Sequence, residues 1–151
     1  MVSERGPVRV TLLGTPGLTL HDGADVRLGE KSLALLAYLC LEHDQPHRRS
    51  NLADLLWPGM DERRARDNLR LTLFRLRQHL VAADAGWLIA DRECIGVDLT
   101  PTAGAHMQVD VHDLLDGSLP MDLVSPLADV VPLDCARYRS WWLAWAERTR
   151  A

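Results

Sequence analysis

The stretch DERRARDNLRLTLFRLRQHL, residues Asp61 to Leu80, decides how this chain is read. At about 100° per residue it sorts into stripes. Ala65, Leu69, Leu73, Leu76 and Leu80 form an apolar line with spacings of four, four, three and four. Arg64, Asn68, Leu71, Arg75 and Gln78 lie on the opposite side. Arg63, Arg66, Arg70 and Arg77 flank them, with Phe74 between. One face of this helix needs a core. The other is either a solvated basic face or a surface that enters a nucleic-acid groove.

The elements around this helix narrow the choice. Val8 to Leu13 (VRVTLL) alternates and is rich in β-branched residues, which predicts a strand. Leu18 to His21 predicts a second strand and Asp25 to Leu28 a third, joined by the hairpin signal Asp22-Gly23. Glu30 to Glu42 predicts a helix that is apolar around most of its circumference, so it belongs at the centre of the fold. Ser50 to Trp57 predicts a short helix with Ser50 as its N-cap, stopped by Pro58-Gly59. Asp61 offers the cap of the long helix. Trp87 to Ala90 and Ile95 to Val97 predict a hairpin with Arg92 at its tip. Residues 99–106 read as a linker, Asp110 to Leu115 as a short capped helix, and Asp134 to Arg150 as a helix with an aromatic face. Strands, three helices and a hairpin are the order of a winged helix behind an N-terminal antiparallel sheet, an α+β fold followed by a short helical segment.

Composition bounds the rest. Nearly half of the 151 residues are apolar (47%), which supplies a core without disulfides or metal. Cys40, Cys94 and Cys135 have no metal-ligand spacing, and Cys40 sits in an apolar run as a small hydrophobe. The histidines show no metal spacing, and no serine or cysteine has a paired base, so neither enzyme chemistry nor a cofactor or small-molecule site is signalled. A reducing cytoplasm is the expected location, without membrane association. Net charge is −4, but it is divided: residues 45–80 hold eight arginines against four acids, and residues 81–151 hold five arginines against eleven acids. The two parts are expected to meet different partners.

The stretches RVTLLG, EKSLALLAYLCLEHDQPHRRSNLADLLWPG and ARDNLRLTLFRLRQHL together resemble the DNA-binding domain of SARP-type transcriptional regulators, a branch of the OmpR/PhoB winged-helix superfamily. The tail RYRSWWLAWAERTR is similar to the opening of the bacterial transcriptional activator (BTAD) helical domain, which is tetratricopeptide-like. The resemblance implies a DNA-binding domain over residues 1–98, a linker over 99–108 and the start of the activator domain over 109–151, in a piece of a longer regulator or a minimal member. It implies double-stranded DNA as partner, bound by a homodimer or in tandem on direct repeats.

Carried across on the pair Leu76-Arg77, the resemblance gives Arg75 a base-contacting position. It gives Leu71 a small apolar position that touches bases, typically a thymine methyl. Arg64 and Asn68 fall on the same stripe, and arginine to guanine and asparagine to adenine are the bidentate pairings that geometry favours. Arg63, Arg70, Thr72 and Arg77 are the phosphate candidates of this helix. Arg48, Arg49 and Ser50 open the preceding helix and suit a phosphate as well; simple N-capping is the alternative. Arg92 resembles the family's minor-groove arginine; a solvated turn residue is the alternative. The loop holding Trp57 and Met60 corresponds to one that can touch RNA polymerase in the superfamily; the alternative makes Trp57 a core plug. Trp141, Trp142 and Trp145 are an interaction face, or else pack on the preceding helices. Asp67 and Phe74 depart from the family pattern. With the net negative charge they support the rival expectation, a winged-helix module for protein association or dimerisation with DNA binding weakened or lost.

Overall fold

Four helices and two small sheets are described in a computed structural model, which covers residues 8–11, 17–19, 25–26, 28–81, 88–97, 107–109 and 135–150. Strands β1 (Val8–Thr11), β2 (Gly17–Thr19) and β3 (Asp25–Val26) come first. Helices α1 (Glu30–Leu41), α2 (Arg49–Leu56) and α3 (Glu62–Val81) follow, with the two-residue strand β4 (His47–Arg48) leading into α2. Strands β5 (Leu88–Ala90) and β6 (Cys94–Val97) form the expected hairpin. Strand β7 (Met107–Val109) and helix α4 (Ala136–Arg150) complete the described chain. The turn Asp22-Gly23, residues 99–106 and the helix expected at Asp110 to Leu115 lie outside the described residues.

The α+β class stands, with one correction to the first sheet. Its order is β3-β2-β1-β7, antiparallel except that β7 runs parallel to β1. The sheet is therefore mixed, not antiparallel. Register places Val26, Leu18, Val10 and Val109 in one row across four strands, so the pairing aligns apolar positions contributed from distant parts of the chain. The second sheet has the order β4-β6-β5, with His47 opposite Ile95 and Leu88 opposite Val97. Strand β6 passes close to the chain entering β4. A Cβ on Gly96 would sit 3.2 Å from the Pro46 Cα, which accounts for glycine there.

Helix α1 is central, as its apolar circumference requires. Ala34, Leu35, Leu36, Ala37, Leu39 and Cys40 are fully buried, and burial pushes the Cys40 thiol far above its usual pKa. It remains a neutral hydrophobe. Leu52, Leu55 and Leu56 of α2 and Ala65, Leu69, Leu73 and Leu76 of α3 pack into the same core. The turn from α2 to α3 passes through Gly59 at φ 76°, a left-handed conformation that strains any L side chain. Asp61 stands at the N-cap position of α3, its carbonyl accepting from the Ala65 N–H at 2.9 Å.

Helix α4 docks on this core from behind. Cys135 and Tyr138 are fully buried and Trp142 is nearly so. The Tyr138 hydroxyl donates to the Ala34 carbonyl at 2.8 Å, and the Cys135 thiol donates to the Leu56 carbonyl at 3.1 Å. Lys31 also reaches that carbonyl, so the last turn of α2 is capped by groups from both α1 and the α4 leader. Arg137 and Asp54 pair at 2.8 Å across α4 and α2, an exposed contact of modest worth.

Candidate nucleic-acid interface

The start of α2 is built by the second sheet. Pairing of Arg48 with Cys94 keeps the chain extended through Arg48, and the helix then begins at Arg49. The expected N-cap, Ser50, is thereby corrected. Arg48 occupies that position, with no side-chain cap bond, and Ser50 lies inside the first turn. Substitute bonds come from the hairpin. The Arg49 N–H donates to the Glu93 carbonyl at 2.8 Å, and the Arg49 Nε–H donates to the Asp91 carbonyl at 2.8 Å.

Asp91 organises the hairpin tip. Its Oδ1 accepts from the N–H groups of Glu93 at 2.8 Å and Cys94 at 2.7 Å, while its own N–H donates to the Cys94 carbonyl at 2.9 Å. This is an Asx turn, in which a side chain takes the place of a backbone acceptor. The Cys94 and Glu93 amides, and then the Arg49 charge, hold the Asp91 carboxyl below the usual carboxylate range. A depressed pKa contributes order that is present above the unfolded value and lost as pH falls through the folded one. Acidification below about pH 4 is therefore expected to lower the protection of the Glu93 and Cys94 amides against exchange, measured relative to their intrinsic rates at each pH. Asp91→Ala is expected to do the same at neutral pH. Unchanged exchange in that variant would remove Asp91 from this role.

These contacts bring arginines from three elements around one cleft of about 560 Å³. Arg48, Arg49 and Ser50 line it from the start of α2, Arg66, Leu69 and Arg70 from α3, and Arg92 and Glu93 from the hairpin. Its lining residues include five arginines and one acid, Glu93. Among the expected site residues, Arg49, Ser50, Arg70 and Arg92 are thus assembled together. Arg48 and Arg66 complete the cleft. The sequence marks each of them as basic, Arg48 beside Arg49 and Arg66 in the flanking stripe, but not their convergence, because only the pairing of β4 with β6 brings the start of α2 beside the hairpin. Arg66 also pairs with Glu62 one turn earlier at 3.3 Å.

The outer face of α3 continues from this cleft. Arg63, Arg64, Asp67, Arg75, Arg77 and Gln78 are exposed; Leu71 is 46% exposed and Phe74 56%. Two expectations are corrected. Thr72, expected at a phosphate, is 7% exposed: it lies three residues after Leu69 and four before Leu76, so it joins the edge of the core. Asn68, expected at a base edge, is half-buried, and its side-chain amide donates to the Met60 Sδ at 3.1 Å. It is held toward the α2–α3 turn, away from the outermost line of the helix.

Trp57 in that turn is half-buried against the core, with the Lys31 ammonium 5.6 Å from its ring centroid, while Met60 is 41% exposed. The tryptophans of α4 face this chain's own core. Trp142 is 1% exposed, which corrects its place in an interaction face. Trp141 and Trp145 are half-buried, and their indole N–H groups donate to the same Glu42 Oε1 at 2.8 and 3.1 Å. The Tyr38 and Trp141 ring centroids are 4.6 Å apart. Among the described residues no three His, Cys, Asp or Glu side chains form a metal-sized group, and no helix is long and apolar enough to cross a membrane.

The arrangement has a solved counterpart. EmbR of Mycobacterium tuberculosis, determined in complex with a low affinity phosphopeptide, superposes with a TM-score of 0.68 at 21% identity. The chain shares its fold with part of EmbR. The match covers 98% of this chain and 43% of the EmbR chain, so this chain spans less than half of that protein's length. Coverage that wide takes in α4, and the docked C-terminal helix therefore belongs to the fold held in common with EmbR. No family model and no curated protein matches the chain.

Proposed function

We propose that the chain is the DNA-binding part of a sequence-specific transcriptional regulator of the SARP type that its sequence resembles. The observation that carries this reading is the cleft of five arginines running into the exposed face of α3. A basic concavity beside a protruding helix fits a duplex: phosphates occupy the cleft, and α3 enters the major groove. Arg64, Leu71 and Arg75 meet base edges, Arg49, Ser50, Arg63, Arg70 and Arg77 meet the backbone, and Arg92 on the hairpin reaches the flanking minor groove. Residues 109–151 begin the helical activator domain. RNA polymerase meeting Trp57 and Met60, and tandem or dimeric binding on direct repeats, follow from the same resemblance.

The test begins with selection of binding sites from a random duplex pool. Arg75→Ala is then expected to weaken the selected site by about 5- to 150-fold, the worth of one bidentate guanine contact, while leaving random duplex unaffected. Unchanged affinity for the selected site sinks the recognition assignment. A second reading, a protein-association module, is favoured by the exposure of Leu71 and Phe74 and by the net charge of −4. It predicts no binding to random duplex even at low salt.

A further inference from the structure

With Thr72 buried beside Ala65, Leu69, Leu73 and Leu76, the line on α3 that points straight away from the core holds no arginine, and the expected stripe through Arg64 and Arg75 lies to one side of it. Asp67, Leu71 and Phe74 each stand two residues before a buried leucine, Leu69, Leu73 and Leu76 respectively. Two residues are about 200° of helical turn, so these three side chains lie opposite the core. All three are exposed. Arg63 and Arg70 lie to one side of the line, Arg64 and Arg75 to the other. When this face enters a groove, Arg63 and Arg70 reach one wall, Arg64 and Arg75 reach base edges on the other side, and the middle line meets the floor between them.

The chemistry of that line is selective. A carboxylate between two phosphate backbones is tolerated only where it meets a hydrogen-bond donor. The major groove offers donors at the exocyclic amino groups of cytosine and adenine, whereas guanine presents acceptors and thymine an acceptor and a methyl group. Leu71 and Phe74 can form no hydrogen bond, and the apolar group available to them on the floor is the thymine methyl. Asp67 and Phe74 are seven residues apart, about 10 Å along the helix, or roughly three base steps.

We infer that Asp67 and Phe74, on either side of Leu71, are further specificity residues, selecting a site in which a cytosine or adenine amino group faces Asp67 and a thymine methyl faces Phe74 within about three base pairs. This rests on the DNA-binding reading above. It gives the two residues that depart from the family pattern a discriminating role.

The test uses the full chain and a duplex selected by it from a random pool. Each thymine in turn is replaced by deoxyuridine, which lacks only the methyl. Wild-type protein is expected to lose about fourfold in affinity at one or more positions, the worth of a buried methyl. Phe74→Ala is expected to become indifferent to the replacement at one of them, and Asp67→Asn to relax the choice of base at the amino-bearing position in a repeated selection. Both positions are exposed, so folded content by circular dichroism should match wild type. The inference is overturned if Phe74→Ala keeps the full deoxyuridine sensitivity, or if Asp67→Asn selects the same base as strongly; the DNA-binding reading survives either result. Absence of any duplex binding by the wild type at low salt overturns that reading and the inference with it.

Discussion

Trp142→Ala is expected to lower the unfolding free energy by about 3–5 kcal/mol, the usual cost of truncating a buried aromatic. Trp142 is 1% exposed, and its neighbours on the same face of α4, Cys135 and Tyr138, are fully buried against α1 and α2. Its loss leaves a void that Trp141, already tied to Glu42, is not free to fill. A domain of this kind is stable by about 5–15 kcal/mol in total, so about a fifth or more of the margin would go. Urea unfolding measures this directly. Three of the chain's five tryptophans lie on α4, so fluorescence reports that helix while far-UV dichroism reports the whole. Coincident transitions show that α4 and the central helices unfold as one unit. Leu143→Ala is the control: Leu143 is 56% exposed on the same helix and its truncation should cost little. A loss below about 1 kcal/mol for Trp142→Ala would mean that α4 does not hold its docked position in solution.

The double change Arg70→Ala with Arg92→Ala is expected to flatten the salt dependence of duplex binding by about two units of log–log slope, one for the phosphate contact of Arg70 and one for the charge that Arg92 brings to the flanking minor groove. At low salt this weakens selected and random duplexes alike, since charge neutralisation carries affinity with little sequence information. The two arginines reach one cleft from different elements, α3 and the hairpin, so neither removal should disturb the other's support. Arg139→Ala, on the exposed side of α4, is the matched loss of charge outside the cleft and should leave the slope as it is. An equal effect from Arg139→Ala would reduce the cleft to general charge attraction.

What was legible in the sequence follows from how local each signal is. Helix α3 announces itself because twenty residues repeat one amphipathic pattern, and α1 because apolar residues surround it. Strand β4 has no such local signal. Two residues after a proline carry no periodicity, and His47 and Arg48 become a strand only through Ile95 and Cys94, more than forty positions later. Strand β7 escaped for the same reason: Met107–Val109 is too short to alternate, and its partner is the first strand of the chain. The site divided in the same way. Each arginine could be seen as basic, but their convergence depends on the β4–β6 pairing. The stripe on α3 placed Asn68 with Leu71 and Arg75, whereas the neighbouring turn at Met60 draws Asn68 aside. For the α4 tryptophans, packing on the preceding helices was one of two open readings, and Glu42 and Tyr38 are the groups that receive Trp141.

The parallel pairing of β7 with β1 has a consequence for how the chain can be cut. A fragment ending at residue 98 would keep α1, α2 and α3 but lose α4, and it would strip β1 of one neighbour. Its backbone N–H and C=O groups on that side would then be an open template for another molecule's strand. Such a fragment should associate edge to edge at concentrations where the chain carrying residues 107–109 does not. The smallest well-behaved unit therefore extends past the hairpin, because the last piece of the first sheet is translated long after the other three.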